Sequence, residues 1–432
     1  MSVAPAGIES RPGLLRGLRR WDLLALMVNG TIGAGIFGLP SRVFALVGPW
    51  SLPAFIACAA LIAIVILCFA EVSSRFETTG GPYLYARTAF GPLVGFVMGL
   101  LLWLVRLSSF AALNNLLVSY LHVLWPAADA EPWRTVVIVA VTAGLATINF
   151  VGVRNAALVG NGFVIGKLVP LAVLIVVGLA AIEPGRLSLG ALPAAGTFPK
   201  AMLLLVFAFT GFELAIIPAG ESADPRRNLP WALLSGLGVV ALVYVLVQVV
   251  CMGVMSDLAT STRPLADAAA IVMGPPGAAL LAVGALLSIT GSMGATMLAA
   301  PRLLYAMAEY GELPRGLAAT HPRFRTPWVA ILVTAGFMLA LSLSSSFVGA
   351  LTISTVTRII TYVSTCIALL VLRRRPDASP AVFRAPLGVA FAVIAVVTCL
   401  WLLSSVTWSE VRLVGIAALI GLALFGLRRL RF

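Results

Sequence analysis

The stretch Val28-Asn29-Gly30-Thr31-Ile32-Gly33-Ala34-Gly35-Ile36-Phe37-Gly38-Leu39-Pro40 decides the fold of this chain. It lies inside an apolar run long enough to cross a bilayer, yet glycine occupies four of the nine positions from 30 to 38. Each glycine inside a helix costs about 0.8 to 1 kcal/mol relative to alanine. A backbone N–H or C=O group that lacks a hydrogen-bond partner in hydrocarbon costs several kcal/mol. A break in a membrane helix therefore persists where it lines a cavity. We therefore interpret the stretch as one half of a binding site within the membrane.

The composition is that of an integral membrane protein. Of the 432 residues, 61% are hydrophobic and only 10% are charged, which soluble domains do not reach. Lysine and arginine are spread along the whole chain, so the net charge of +13 does not predict nucleic-acid binding. The five cysteines lie in apolar runs without paired spacing and predict neither a disulfide framework nor a metal site. No cofactor is expected.

Apolar runs of about 20 residues predict an all-α polytopic protein with twelve transmembrane helices. The predicted spans, numbered along the chain, are residues 21–47, 50–72, 92–124, 133–153, 156–182, 198–220, 229–255, 275–308, 327–343, 347–372, 385–403 and 408–427.

The basic residues test this count and orient the chain. If the segment before span 1 is cytoplasmic, 20 of the 29 lysines and arginines fall on the cytoplasmic side and five fall outside. This imbalance agrees with the positive-inside rule. We therefore expect a protein of the cell membrane with both termini in the cytoplasm, where residues 1–20 and 428–432 form the terminal segments.

Span 6 repeats the pattern of span 1. Its centre reads FAFTGFE (207–213), and Gly211 precedes Pro218 by seven residues as Gly33 precedes Pro40. Because span 6 lies five spans after span 1, the two cross the membrane in opposite directions. Interrupted helices at matching positions of inverted halves indicate a transporter site at the midplane. The alternative is a pair of ordinary glycine-containing helices that pack closely.

Further motifs accompany these two breaks. They are GTIGAGIF (30–37) with Pro40, TGGPYLYA (79–86) with FGP (90–92), FAFTGFE (207–213) with GESADPRRNLP (220–230), RLLYAM (302–307) with Gly311 and Pro314, and LRRR (372–375). In this order they resemble the amino acid-polyamine-organocation (APC) permeases from span 1 to span 10. The resemblance implies a LeuT-like core of two inverted five-helix repeats, residues 21–182 and 198–372, with discontinuous spans 1 and 6. Residues 385–427 would form two peripheral helices, and a central amino-acid site would open by alternating access.

A broken helix offers a partner to each charge of a zwitterion. The last carbonyls before the break carry partial negative charge, and the first N–H groups after it carry partial positive charge. We expect the substrate carboxylate on the N–H groups of residues 33–35 and its ammonium on carbonyls of Thr31, Phe207 and Thr210. The predicted substrate-binding residues are Thr31, Ile32, Gly33, Ala34, Gly35, Phe110, Phe207, Phe209, Thr210 and Gly211.

Side chains around the breaks would set specificity. By resemblance, Phe207 occupies the position of an aromatic that covers the substrate on its outer side, and Phe110 that of a side-chain contact. Ser292 and Thr296 lie one turn apart on span 8. They face the same space or, alternatively, bond to carbonyls of their own helix.

Lys167 is the basic residue of the spans that most needs an explanation. It lies eleven residues into span 5, about 16 Å from the cytoplasmic end at 1.5 Å per residue. A charge there costs about 2.5 to 3.5 kcal/mol, so the group is suited to losing its proton during transport. In proton-coupled relatives, a lysine at what looks like this position replaces a bound sodium ion. We expect proton coupling through Lys167, against a structural pairing with carbonyls of span 1.

Glu213, Arg106 and Arg358 also lie deep within spans. Glu213 matches a family position that is commonly acidic, and it either titrates with substrate binding or ties span 6 to its neighbours. Arg106 and Arg358 depart from the commoner family pattern and are deep enough to need partners. They either pair with Glu213 or favour acidic substrates, and structural pairing is the preferred interpretation.

The predicted function is therefore a secondary active transporter of amino acids, with a proton symporter preferred and an amino acid or amine exchanger as the alternative. A channel is less favoured, because the chain has no ring-forming filter repeat. An enzyme is not expected, because no paired carboxylates or metal-ligand spacing fall within the spans. The expected partners are an amino acid, the proton and the bilayer, and the protein would be a monomer or homodimer. Residues 264–270 resemble the external lid of the family, and loops with Arg75, Glu77, Glu221, Asp224, Arg226 and Arg227 supply candidate cytoplasmic gate pairs.

Overall fold

Helices make up the regular structure of this protein. The computed structural model describes residues 13–344 and 347–403 and the single positions 415, 419 and 422; these residues form no sheet, only one isolated bridge between Leu18 and Ser222. The helices of this part of the chain are α1 (Arg20–Thr31), α2 (Leu39–Val47), α3 (Ser51–Ser73), α4 (Pro82–Phe90), α5 (Pro92–Leu124), α6 (Trp133–Val151), α7 (Val153–Ala180), α8 (Thr197–Phe209), α9 (Pro225–Val254), α10 (Pro264–Glu309), α11 (Trp328–Ser344), α12 (Phe347–Arg374) and α13 (Gly388–Leu403).

Several of these helices are long and apolar enough to cross a bilayer. Seven helical stretches of the described chain meet that standard: Leu39–Ser73, Pro92–His122, Trp133–Val151, Val153–Ala180, Thr197–Leu214, Pro225–Val254 and Pro264–Glu309. Two shorter apolar helices follow, Trp328–Ser344 and Gly388–Trp401. Helices lie on predicted spans 1 to 11. Of span 12 the structure describes only positions 415, 419 and 422, and the tail at 428–432 and residues 1–12 of the predicted N-terminal segment fall outside the described residues. The count of twelve and the inverted repeat stay predictions.

The largest difference from the predicted boundaries is in α10. It begins at Pro264, eleven residues before the predicted start of span 8, and it is interrupted at Gly274, whose φ is 70°. A positive φ favours glycine because a side chain there clashes with the backbone. The predicted short outer helix at 264–270 is therefore the arm of α10 that precedes this kink.

The chain leaves the helix at both stretches that the sequence singled out. After α1 ends at Thr31, a short 3-10 turn at Gly35–Phe37 precedes α2. After α8 ends at Phe209, Gly211 adopts a φ of 108° and a 3-10 turn follows at Phe212–Leu214. Spans 1 and 6 are thus interrupted in this structure.

The two interruptions touch each other through their backbones. A Cβ atom added to Gly30 would collide with the Gly211 carbonyl oxygen, and one added to Gly211 would collide with the Gly30 carbonyl oxygen. Only glycine at both positions permits this approach. Around this contact, α10 packs along α7 and α5, and α3 packs along α9.

Candidate substrate site

Polar contacts tie the end of α1 to α7 and α10. Lys167 donates from Nζ to the Ile32 carbonyl oxygen at 2.7 Å, and the Ser288 hydroxyl lies 2.9 Å from the same oxygen. The Ser288 hydroxyl is also 3.2 Å from the Gly33 carbonyl oxygen, and Lys167 donates to the Ser288 carbonyl at 3.3 Å. The first interruption is therefore held between one buried amine and one buried hydroxyl.

Lys167 is fully buried in the middle of α7. Its partners are carbonyl oxygens of α1 and α10, and it makes no ion pair with any residue that the structure describes. Carbonyl dipoles stabilise a buried ammonium far less completely than a carboxylate does. This position lies beside the broken helix and has no counterion among the described residues. It suits both proton coupling and structural pairing with carbonyls of span 1, the two interpretations that the sequence left open.

The N–H groups after the first interruption are only partly available. Gly33 donates its N–H to the Thr31 carbonyl at 2.9 Å. Within the described chain, the N–H groups of Ala34 and Gly35 donate to no other residue, and all three residues are partly exposed. Two of the three predicted carboxylate donors are thus free for a ligand.

The predicted ammonium acceptors are mostly occupied by the protein itself. The Thr31 carbonyl accepts from Gly33 N and from the Tyr244 hydroxyl, which lies 2.9 Å away. The Phe207 carbonyl is capped by the Thr210 hydroxyl at 2.7 Å. Among the residues described, the Thr210 carbonyl alone of the three accepts no hydrogen bond. A substrate ammonium therefore has one open acceptor here.

Two polar residues of this region were missed by the sequence analysis. The Tyr244 hydroxyl lies between the carbonyl oxygens of Thr31 and Ala208, 2.9 and 3.0 Å away, and so joins the ends of α1 and α8. Ser288 has the bridging position already described. Tyr244 is a polar residue in an apolar run, and Ser288 begins the hydroxyl-bearing stretch Ser288, Thr290 and Ser292, which were the available indications.

The predicted aromatic residues take different positions. Phe207 is half-buried on the last turns of α8, whereas Phe110 on α5 is fully buried. Phe209 is also fully buried, with its ring 4.9 Å from that of Tyr244 between centroids. Phe209 therefore supports the residue that bridges the two helix ends.

Ser292 and Thr296 also differ from each other. The Ser292 hydroxyl lies 2.7 Å from the Asn29 carbonyl in the last turn of α1. The Thr296 hydroxyl donates to the Ser292 carbonyl of its own helix at 2.8 Å. This bond is the alternative that the sequence left open for Thr296. Of these two residues, only Ser292 links α10 to the broken helix, and its hydroxyl also lies 3.0 Å from the Ser288 carbonyl of its own helix.

Glu213 is the centre of a buried charged cluster directly after the second interruption. Arg106 donates from Nη2 to Glu213 Oε1 at 2.6 Å, and Arg358 Nη1 lies 3.4 Å from the same oxygen. The other oxygen, Oε2, accepts from the Gly211 N–H at 3.0 Å and from the Tyr362 hydroxyl at 3.4 Å. The predicted pairing of both arginines with Glu213 is present, and it fixes the second interruption through Gly211.

A second buried pair lies farther along the chain from this interruption. Glu221 accepts from Arg302 Nε at 2.6 Å and from Nη2 at 3.1 Å, and the Leu18 N–H donates to its carbonyl at 2.8 Å. Of the predicted gate residues, Arg226 lies 4.0 Å from Glu77 and Arg227 lies 3.9 Å from Asp224. Only Glu221 forms a fully buried pair, and its partner Arg302 was not predicted as a gate residue.

A third polar contact joins α4 to the segment after α10. Tyr83 donates its hydroxyl to Glu312 Oε2 at 2.7 Å, and Arg87 donates to Oε1 at 2.8 Å. Burial and the neighbouring Glu312 carboxylate raise the pKa of the Tyr83 phenol. Tyr83 therefore stays a hydrogen-bond donor at neutral pH.

Comparison with known proteins gives the family. The model of the amino acid permease family matches residues 18–424. The chain belongs to this family, within the APC superfamily. Membership accounts for the apolar helices, and this permease is an integral membrane protein.

Relatives along nearly the whole permease are named as transporters. The serine/threonine exchanger SteT of Bacillus subtilis is 29% identical, covering 98% of this chain and 97% of the relative. The methylthioribose transporter of Bacillus subtilis is also 29% identical, over 91% of this chain and 90% of the relative. An uncharacterised transporter of Mycobacterium tuberculosis is 30% identical over 80% and 77%, respectively. These names are those of transporters, and no catalytic family is indicated.

Proposed function

We propose that this permease is a secondary active transporter that moves amino acids by alternating access and couples their movement to protons through Lys167. The observation that carries the proposal is the contact of the buried Lys167 ammonium with the Ile32 carbonyl at the interruption of span 1. Proton loss from Lys167 would remove the charge from this contact and so weaken it. The conformation of the broken helix would then depend on protonation, which is what coupling requires.

The amino acid would lie where the two interruptions meet. The free N–H groups of Ala34 and Gly35 suit a carboxylate, and the open Thr210 carbonyl suits an ammonium. Ile32, Gly33 and Gly211 would shape the backbone of this site, whereas Phe207 would cover it. The side chains around the site would choose among amino acids.

The two inverted repeats would be residues 21–182 and 198–372, with residues 385–427 peripheral. Both termini would lie in the cytoplasm at the cell membrane, and the working unit would be a monomer or homodimer. A proton would be the coupling ion, because by the family resemblance Lys167 would take the place of a bound sodium ion.

Amino acid exchange without proton coupling is the second candidate. The relative named serine/threonine exchanger supports it, since that protein matches nearly the full length of this chain. An exchanger needs an amino acid on the opposite side of the membrane, whereas a symporter needs only a proton gradient.

Uptake by purified permease in proteoliposomes separates these candidates. We expect labelled amino acids, tested from serine and threonine through all twenty, to enter empty vesicles when an inward proton gradient is imposed. Uptake that requires internal amino acid and ignores the gradient would favour the exchanger. Absence of transport for every amino acid would contradict the proposed function.

Variants of Lys167 test the coupling itself. We expect Lys167→Gln to lose the stimulation by the proton gradient, because an amide can still donate to the Ile32 carbonyl but cannot release a proton. Lys200→Gln is the matched control, since the only other lysine of the chain is exposed at the start of α8. Proton-dependent uptake at the normal rate in Lys167→Ala would show the coupling role to be wrong.

A further inference from the structure

Two tryptophans meet on the surface where α1 and α9 begin. Trp21 lies in the first turn of α1 and Trp231 in the second turn of α9, and their ring centroids are 4.8 Å apart with nearly perpendicular planes. Trp21 is 57% exposed and Trp231 is half-buried. Tryptophan is enriched where a membrane meets water, because its indole is both apolar and polar. The pair therefore indicates that the membrane–water interface crosses the first turns of these two helices.

Arg20 lies against both indole rings. Its Cζ atom is 5.3 Å from the ring centroid of Trp21 and 5.2 Å from that of Trp231. Such contacts involve the flat face of the guanidinium, whose N–H donors lie in its plane and stay available. Arg20 is exposed, and no carboxylate of the part of the chain that the structure describes forms an ion pair with it. These positioned donors suit an anion that comes from outside the chain.

A second arginine lies one turn from Trp231. Arg227 precedes Trp231 by four residues on α9, so the two side chains share one side of that helix. Arg227 is 78% exposed, and its ion-pair partner Asp224 lies 3.9 Å away and is itself 52% exposed. Since an exposed pair of this kind contributes little free energy, Arg227 can bind another anion. We call the surface formed by Arg20, Trp21, Arg227 and Trp231 the interfacial patch.

The same side of α9 continues beyond the patch as an apolar surface. Gly238 and Leu242 follow Trp231 by seven and eleven residues, a spacing that places them on its face of the helix. Leu242 is 60% exposed, and a Cβ atom added to Gly238 would meet open space. This side of α9 thus has a guanidinium at its start and apolar surface along its length. A phospholipid has the same order, from its phosphate to its acyl chains.

We propose that the interfacial patch binds an anionic phospholipid. Its phosphate lies on the guanidiniums of Arg20 and Arg227, because arginine binds phosphate oxygens through charge-assisted hydrogen bonds. An acyl chain lies along α9 past Gly238. Since the patch joins the first turns of α1 and α9, the bound lipid stabilises the arrangement in which these turns meet. The other end of α1 is the first interruption, so the lipid acts on one arm of the broken helix.

Thermal stabilisation of the purified permease in detergent micelles by added lipid tests the patch. We expect phosphatidylglycerol to raise the melting temperature more than phosphatidylcholine, which has a phosphate and acyl chains but no net charge. In Arg20→Gln, half-maximal stabilisation by phosphatidylglycerol should need about a fivefold higher lipid concentration, which matches about 1 kcal/mol for one arginine at a membrane surface. Equal stabilisation by the two lipids, or an unchanged midpoint in Arg20→Gln, would overturn the proposal.

Further variants separate this patch from a general attraction of anionic lipid. Arg374→Gln is the matched control, since it removes an exposed arginine at the end of α12 and should keep the midpoint. If Arg374→Gln shifted the midpoint as far as Arg20→Gln does, the attraction would be unspecific and the proposal wrong. Trp231→Leu keeps an apolar side chain but removes one indole, so it should weaken the effect of phosphatidylglycerol as well.

Two checks complete the experiment. The melting temperature in phosphatidylcholine shows whether each variant is folded, and Arg227→Gln, which should shift the midpoint in the same direction, decides the question if Arg20→Gln fails to fold. Inorganic phosphate supplies an anion without acyl chains. If it stabilised the permease as much as phosphatidylglycerol does, the patch would bind free anions and the lipid proposal would be wrong.

Discussion

Removal of Arg302 should destabilise the protein strongly. Both side chains of the pair with Glu221 are 0% exposed, and the carboxylate would be left buried without a counterion in Arg302→Met. Breaking a buried pair in this way costs about 3 to 5 kcal/mol. The loss of the bond from Arg302 Nη1 to the Leu298 carbonyl, 2.7 Å long, acts in the same direction.

Arg227 provides a matched control on the same side of the protein. It lies 3.9 Å from Asp224, but the two side chains are 78% and 52% exposed. Exposed pairs contribute about 0 to 1 kcal/mol, so Arg227→Met should change the stability little. The measurement is the free energy of unfolding in mixed detergent micelles as the denaturing detergent is increased.

A double variant separates charge from packing. Glu221→Gln combined with Arg302→Met removes both charges, and it should recover part of the stability lost in Arg302→Met. The reasoning would be refuted if Arg302→Met lost no more stability than Arg227→Met. It would also be refuted if the double variant were as unstable as the sum of its two single variants.

Two further predictions follow from contacts of the described residues. Gly211→Ala should abolish transport and lower the melting temperature, because its φ of 108° and the nearby Gly30 carbonyl both exclude a side chain. Gly144→Ala meets open space inside α6, so it should keep transport and leave the melting temperature equal or higher, since alanine favours the helix. Stability should fall as the pH rises above about 10, where the Tyr83 phenol ionises in the unfolded chain before it does so in the folded protein, since burial and Glu312 raise its pKa. Melting curves between pH 7 and 11 measure this, and Tyr83→Phe should lose part of the fall; an unchanged slope in that variant would contradict it.

Much of the fold could be predicted from local properties of the chain. The interruption near Gly33 follows from the glycine content of an apolar run, and the helix boundaries of α5 and α6 lie within two residues of their predictions. The predicted helix boundaries were wrong where a helix continues beyond its apolar run, as in α9, which begins at Pro225 and not at 229. Hydropathy reports the apolar part of a helix, whereas proline in the first turn allows the helix to start earlier.

The candidate site could be predicted less completely. Residues 33–35 and Lys167 were identified because a helix break and a charge each cost free energy in hydrocarbon, and both can be recognised in the sequence. Tyr244 was not identified, because its role is a hydrogen bond to the Thr31 carbonyl, which lies 213 residues away in the sequence. The sequence also could not predict that the Thr31 carbonyl accepts a hydrogen bond from the protein itself, because this bond depends on how α9 packs against α1.

The sequence by itself determined that this chain enters a membrane, that spans 1 and 6 are interrupted and that a few charges lie deep within the spans. Those are properties of composition and local conformation, which need no knowledge of neighbouring helices. Only the tertiary structure decided that Gly30 lies against Gly211 and that Arg106 meets Glu213 from 107 residues away. Such pairs depend on the rotation and packing of whole helices, and these are set by contacts distributed along the entire chain.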